Sequence, residues 1–196
     1  MIARSLHRLR AETRGSAVIE FAIAAPVLLL LLIGIYNMAW TAYLTIVLRG
    51  AVQAAARGDG LETANNVKAD AYVTNIVKGV APDATVAFKR MSYYDFADIK
   101  RAETWNDRNA NGKCDAGEAY TDENKNGKWD ADVGSNSNGG ANDVVLYTAT
   151  VTYKPVFIVP FMSGASDQRQ MSATAVRKNQ PFALQAKYGS AAGTCP

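Results

Sequence analysis

The chain carries a single histidine, His7, and only two cysteines, Cys114 and Cys195, among 196 residues. Histidine is the commonest general base and metal ligand near neutral pH. Because His7 lies before Gly15, a chain trimmed after that glycine contains none. Two cysteines are too few for a four-ligand zinc site without histidine, which leaves one disulfide or none. A basic surface is missing as well. Arg4, Arg8, Arg10 and Arg14 against Glu12 account for the whole net charge of +3, and beyond Arg14 acids and bases balance. Without a basic patch interleaved with aromatics, no nucleic-acid partner is expected. No pairing of nucleophile and base is visible either, so no catalytic residue is assigned and the chain reads as not an enzyme.

Charge is absent altogether from residue 21 to residue 48, and the leucine-rich part of that run is long enough to cross a hydrocarbon core of about 30 Å. A transmembrane helix follows. The arginines before it, and their scarcity just after it, put the N-terminus in the cytoplasm and the rest outside. A cleaved secretory signal fails on order, because Ala22-Ile23-Ala24 precedes the leucine run whereas a signal's apolar core comes before its cleavage site. A plain anchor explains Glu20 least. Deep in a bilayer a carboxylate costs roughly 2.5 to 3.5 kcal/mol, and less near the interface; a place in the first helical turn returns typically about 0.3 to 1 kcal/mol through the macrodipole.

The segment Arg14-Gly15-Ser16-Ala17-Val18-Ile19-Glu20-Phe21, with a basic stretch before it and Ala-Ala-Pro and the leucines after it, resembles the processing site of type IV pilin-like proteins. It is most similar to the TadE/TadF minor pseudopilins of tight-adherence (Flp) pili. The resemblance implies that a prepilin peptidase cuts after Gly15, that Ser16 becomes the N-terminus, and that Glu20 is the fifth residue of the mature chain. The implied partners are that peptidase, other pilins or pseudopilins, and the inner membrane. Residues 172–182 also resemble the ending of TadE-like chains. Glu20 has a physical use in this setting: a carboxylate one helical turn from the new Ser16 amine, or on a neighbouring subunit, neutralises a charge that is costly in an apolar environment.

Organisation follows from the periodicities. Residues 1–15 read as a prepilin leader, 16–60 as a membrane-spanning and protruding helix, and 61–196 as a periplasmic α+β domain with a polar insertion at 95–143. A helix from residue 16 to residue 57 is about 63 Å long, twice the membrane thickness. Its second half is amphipathic: Thr41, Thr45, Arg49, Gln53 and Arg57 make a polar stripe, and Leu44, Val47, Leu48, Ala51 and Ala55 face a core. A second helix is expected over residues 61–78. Three strands follow, beginning at Thr85, Val145 and Met171; in the second, Val145, Tyr147, Ala149, Val151 and Tyr153 alternate with threonines. The fold class is thus α+β and pilin-like, a long N-terminal helix plus a second helix packed on a small antiparallel sheet. The apolar stretch at 155–162 either covers the sheet edge or meets a partner.

The insertion holds a calcium-type pattern. Residues 107–118 fit D-x-[DN]-x-[DN]-G-x5-E throughout. Asp107, Asn109, Asn111 and Asp115 supply oxygens, Lys113 a carbonyl, Gly112 the sharp turn, and Glu118 two carboxylate oxygens, as a hard cation with six to eight oxygen ligands requires. The pattern restarts at Asp122, Asn124, Asn126, Gly127 and Asp130, with Val133 where the closing glutamate should stand. A period of 15 residues has no room for paired EF-hands; the loops are similar to the Asp/Asn/Gly repeats of secreted bacterial proteins whose adjacent loops bind calcium. The same residues also favour plain turns. In an oxidising envelope compartment Cys114 and Cys195 can pair. The reading is a minor pseudopilin acting in assembly, priming or at the tip of a tight-adherence pilus for surface attachment, with structural calcium as cofactor. The alternative is a membrane-anchored extracytoplasmic calcium-binding protein unrelated to pili.

Overall fold

The computed structural model describes residues 16–59, 66–157, 168–181 and 189–196. They form α1 (Ser16–Asp59), α2 (Asn66–Val80), β1 (Thr85–Tyr93), β2 (Ala119–Asp122), β3 (Val144–Tyr153), β4 (Arg169–Lys178) and β5 (Ala191–Thr194), with a 3-10 turn at Phe96–Asp98. These residues fall into two compact units. One is 16–43 with 154–157 and 168–169; the other is the remainder.

α1 is one helix of 44 residues. Leucine and alanine favour helix, and in hydrocarbon every backbone N–H and C=O must be satisfied within the segment, which a helix does. Its apolar window has mean hydropathy 2.7, and among the described residues none of that window is buried. Pro26 sits inside it and removes one N–H, which membrane helices tolerate. The character changes at Leu44. From there Leu44, Leu48, Ala51, Val52, Ala55 and Ala56 are buried, and Arg49, Gln53 and Arg57 are exposed. Fully burying a leucine or valine side chain contributes about 1.5 to 3 kcal/mol. The helix runs through Gly58 to Asp59, two residues beyond the expected end at residue 57.

α2 starts at Asn66, and residues 61–65 of the expected second helix lie outside the described residues. Val73 and Val77, one turn apart, are its buried pair. Lys78 in the last turn complements the carbonyl end of the dipole. The helix ends at Val80, before Pro82.

The main sheet has order β1-β3-β4, and β1 pairs antiparallel with β3 from Thr85↔Thr152 to Tyr93↔Val144. In the central strand Val145, Tyr147, Ala149, Val151 and Tyr153 are buried, and the threonines between them are half-buried. The expected α+β architecture with its second helix and small antiparallel sheet is therefore present. A second sheet was not expected: β2, inside the polar insertion, pairs antiparallel with β5 near the C-terminus.

Asp70 ties α2 to the sheet. Its carboxylate accepts from Arg90 Nη1 at 3.0 Å and Nη2 at 2.7 Å, and from the Tyr147 hydroxyl at 2.7 Å. The Arg90 guanidinium also lies 4.4 Å from the centre of the Tyr147 ring, a cation–π geometry. A fork-to-carboxylate bond carries geometric specificity that a single lysine contact lacks. Asp70→Ala should destabilise the domain by about 2 to 3 kcal/mol, given about 1.5 to 3 kcal/mol for hydrogen bonds to charged groups. Tyr147→Phe, which removes one neutral donor, should cost about 1 kcal/mol. Urea midpoints at unchanged m-value measure both; an Asp70→Ala chain as stable as wild type would show that the pair sets no geometry.

Candidate functional site

Of the residues expected at the processing site, Gly15 lies outside the described residues, Ser16 opens the description of α1, and Glu20 is exposed four residues further along it. Four residues of helix rise about 6 Å. Glu20 thus stands one turn from the Ser16 backbone.

The loop at 107–118 is organised around its own carboxylates. Asp107 Oδ1 accepts from Asn111 N–H at 3.1 Å and Oδ2 from Gly112 N–H at 2.7 Å. Asn109 Oδ1 accepts from Asn111 N–H at 3.1 Å, and Asn111 Oδ1 from Lys113 N–H at 2.8 Å. The amide nitrogens of Asn109 and Asn111 both donate to Asp115 Oδ2. Those two donors hold the Asp115 carboxyl below its usual range. Glu118 closes the loop from below: Oε1 takes the Arg108 N–H at 2.9 Å and Oε2 the Asp115 N–H at 3.0 Å. Gly112 has φ +75°, the left-handed conformation that lets the chain reverse here.

Fifteen residues on, the arrangement repeats. Asp122 accepts from Asn126 N–H and Gly127 N–H, Asn126 accepts from Lys128 N–H, and Asn124 and Asn126 both donate to Asp130. Gly127 has φ +79°, and Ala110 and Lys125 share the left-handed region one residue before their asparagines. Val133 does not close this loop. Glu103 does: its Oε1 takes the Glu123 N–H at 2.8 Å and its Oε2 the Asp130 N–H at 3.1 Å, the positions that Glu118 serves in loop one. Glu103 is fully buried.

Sequence reasoning missed Glu103 because the pattern was counted forward from each aspartate. A signal was available. Glu103-Thr-Trp-Asn-Asp107 and Glu118-Ala-Tyr-Thr-Asp122 share a lead-in of glutamate, a central aromatic and aspartate at the same spacing, so the repeat begins at the glutamates. The two lead-ins lie side by side as an antiparallel bridge, Trp105↔Tyr120. Asn106 N–H donates to the Ala119 carbonyl and Thr121 N–H to the Thr104 carbonyl, each at 2.8 Å. Trp105 meets Trp129 edge to face at 5.3 Å.

The donors fit a hard cation. Asp, Asn, Glu and backbone carbonyls are all oxygen donors, and a carboxylate oxygen that accepts one N–H keeps a lone pair. Among the described residues no three His, Cys, Asp or Glu side chains are grouped to hold a metal; the loop oxygens are instead turned to nearby N–H groups. The sulfur in loop one is not a free ligand. Cys114 forms a disulfide with Cys195, Cα to Cα 5.6 Å, across 81 positions of sequence. Backbone bonds reinforce it, Cys195 N–H to the Glu118 carbonyl at 2.8 Å and Gly117 N–H to the Cys195 carbonyl at 3.2 Å. At Gly193 on β5 the Tyr120 ring lies so close that a Cβ would collide with it.

Arg101 clamps the second loop from outside. Its Nη1 and Nη2 donate to the two Glu123 oxygens at 2.9 and 2.6 Å, and its Nε donates to Asp98 at 3.0 Å. The Arg101 bond holds the Glu123 carboxyl below its usual range, and Glu123 in turn raises the guanidinium.

Two outcomes are expected from these contacts. A depressed folded-state pKa at Glu123 gives stability that is present above the unfolded value of about 4.3 and is lost as pH falls through the lower folded value. Glu123→Gln should lower stability most at neutral pH and flatten the acid limb of the stability–pH curve below about pH 4.3, where the wild-type carboxylate takes up its proton and the two chains converge; an unchanged acid limb would refute the coupling. Replacing both cysteines with serine should cost about 2 to 4.5 kcal/mol, the upper figure being the chain-entropy value for a loop of this length. Hydrogen exchange should rise first in β5 and loop one.

No curated protein and no solved structure matches the chain. A protein-family model does match, over residues 15–57, and it describes TadE-like proteins. The matched stretch takes in Gly15, Ser16, Glu20 and nearly all of α1, and leaves the sheets and both loops outside it. The N-terminal helical segment of this chain is therefore similar to that of TadE-like proteins, in line with its resemblance from Arg14 to Phe21.

Proposed function

We propose that the chain is a minor pseudopilin: a structural, non-enzymatic subunit made as a prepilin, cut between Gly15 and Ser16 by a prepilin peptidase, and anchored in the inner membrane with its folded part outside. Its task is to help assemble, prime or tip a tight-adherence pilus used for surface attachment. The observation that carries this reading is the TadE-like match on residues 15–57, coinciding with an apolar helix of 44 residues. A prepilin helix must first sit in a bilayer and then pack against other subunits, and the uncharged run from Phe21 to Leu48, with Glu20 just before it, suits both environments.

The processing step is tested by N-terminal sequencing of the membrane form, which should begin at Ser16, and by Gly15→Leu, which should leave the precursor intact. A wild-type membrane form that begins at Met1 would sink it. Glu20→Ala should partition into membrane at least as well as wild type, because a costly carboxylate is gone, yet cleaved subunits should accumulate unassembled. Breaking a buried charge pair typically costs about 3 to 5 kcal/mol. Glu20→Gln keeps the size and removes the charge, so it should behave like alanine; normal piliation with both variants would reduce Glu20 to a helix-start residue.

The two loops are proposed as structural calcium sites that stiffen the insertion, with Asp107, Asn109, Asn111, Lys113, Asp115 and Glu118 at one and Asp122, Asn124, Asn126, Asp130 and Glu103 at the other. The match of each loop's hydrogen bonding to the other's, including a carboxylate of separate origin in the closing position, supports this reading. Calcium titration by calorimetry should show binding that Glu103→Gln weakens at the second loop alone and Glu118→Gln at the first alone. Identical heats for wild type and both variants would retire it.

A further inference from the structure

The unit made of 16–43 and 154–157 contains a contact that the pilus reading does not use. Asn37 is only 4% exposed, although it stands on the apolar part of α1. Its Nδ2 donates to the Phe157 carbonyl at 2.9 Å. The Phe157 ring meets Tyr36 edge to face at 5.2 Å, and Tyr36 stacks on Trp40, which lies 6.3 Å from Tyr43. Val156 and Phe157 remain about half exposed even so, at 49% and 45%.

The height of this contact follows from helix geometry. If the hydrocarbon begins at Phe21, the first uncharged residue after Glu20, Asn37 lies about 24 Å along the axis and the far boundary near residue 41. Tyr36, Trp40 and Tyr43 then form an aromatic belt at the outer interface, where such rings concentrate. The Asn37 bond pins the Phe157 backbone to that same level. It also satisfies two polar groups, a side-chain amide and a main-chain carbonyl, that would be costly beside lipid without partners. Lys154, exposed three residues earlier, has a stem long enough to reach a headgroup phosphate while Phe157 stays at acyl depth.

Resting on the membrane-anchored reading above, we propose that Val156 and Phe157 are a second membrane contact, two side chains laid into the outer boundary of the bilayer beside Tyr36 and Trp40. The occupant of this apolar surface is lipid, because the patch is continuous with the face of a helix whose apolar window no described residue buries. The contact bears on the depth and tilt of this unit in the bilayer, which interfacial anchors help to set.

Both native cysteines are in the disulfide, so an introduced cysteine is the one free thiol. Phe157→Cys, Val156→Cys, Ile35→Cys and Tyr94→Cys, each in the full chain, would be labelled with an environment-sensitive fluorophore and reconstituted in vesicles of phosphatidylethanolamine and phosphatidylglycerol. Ile35 reports the spanning helix, and Tyr94, 60% exposed, reports the domain surface. The labels at 156 and 157 should emit to the blue of the Tyr94 label, lose most of their emission to nitroxide lipids, and resist aqueous iodide, as the Ile35 label does. Labels at 156 and 157 that iodide quenches while the Ile35 label is lipid-quenched would overturn the proposal and leave the anchor standing. Labels shielded from both quenchers would overturn it in favour of a protein partner. An Ile35 label that lipid does not quench would overturn the anchor itself, and this contact with it.

Discussion

A helix of 44 residues is about 66 Å long, more than twice the thickness of a hydrocarbon core, and the demand that its backbone and side chains be covered along all of that length shapes the chain. Up to Tyr43 the side chains are mostly apolar, and no described residue buries the apolar window. From Leu44 the spacing changes: Leu44, Leu48, Ala51, Val52 and Ala55 recur on one face and are buried in the second unit. The small residues in that stripe let the helix backbone approach its neighbours closely, and the leucines supply most of the buried area. Because the helical hydrogen-bond ladder is continuous, one element serves two solvents without a break.

The sheet and second helix are joined by a polar contact set among apolar ones. Val73 and Val77 bury the face of α2, which is non-directional and would tolerate small slides. Asp70, bonded to Arg90 on β1 and Tyr147 on β3, is directional. A fork-to-carboxylate pair of this kind fixes rotation and register in a way that burial does not.

The insertion has almost no apolar core, so its order comes from elsewhere. Asparagine and aspartate side chains bond their own loop backbones, two glutamates bridge distant N–H groups, a tryptophan pair fills the gap between the loops, and the disulfide fastens loop one to the chain's other end. Each contact is modest by itself. Together they hold polar backbone that would otherwise be left to water, and they leave the two loops similar in detail.

The sequence by itself determined the helix, its length to within two residues and its apolar half, because an uncharged leucine-rich run of this length favours a continuous helix; the TadE-like match falls on that part. It also determined the strand face at β3, where alternation of period two buries Tyr147, Ala149 and Val151. The loop pattern at Asp107 and Asp122 was legible too, since Asx turns are local. Only the tertiary structure decided which carboxylate closes the second loop, where β5 pairs, and what the Phe157 carbonyl bonds to. Glu103 lies 20 positions from Glu123, whose N–H it accepts, Ala191 sits opposite Asp122, and Phe157 is 120 positions from Asn37. Contacts over such separations are chosen by the packing of elements already formed; of the three, only the Glu103 closure leaves a trace in the sequence, the 15-residue spacing of Glu103 and Glu118.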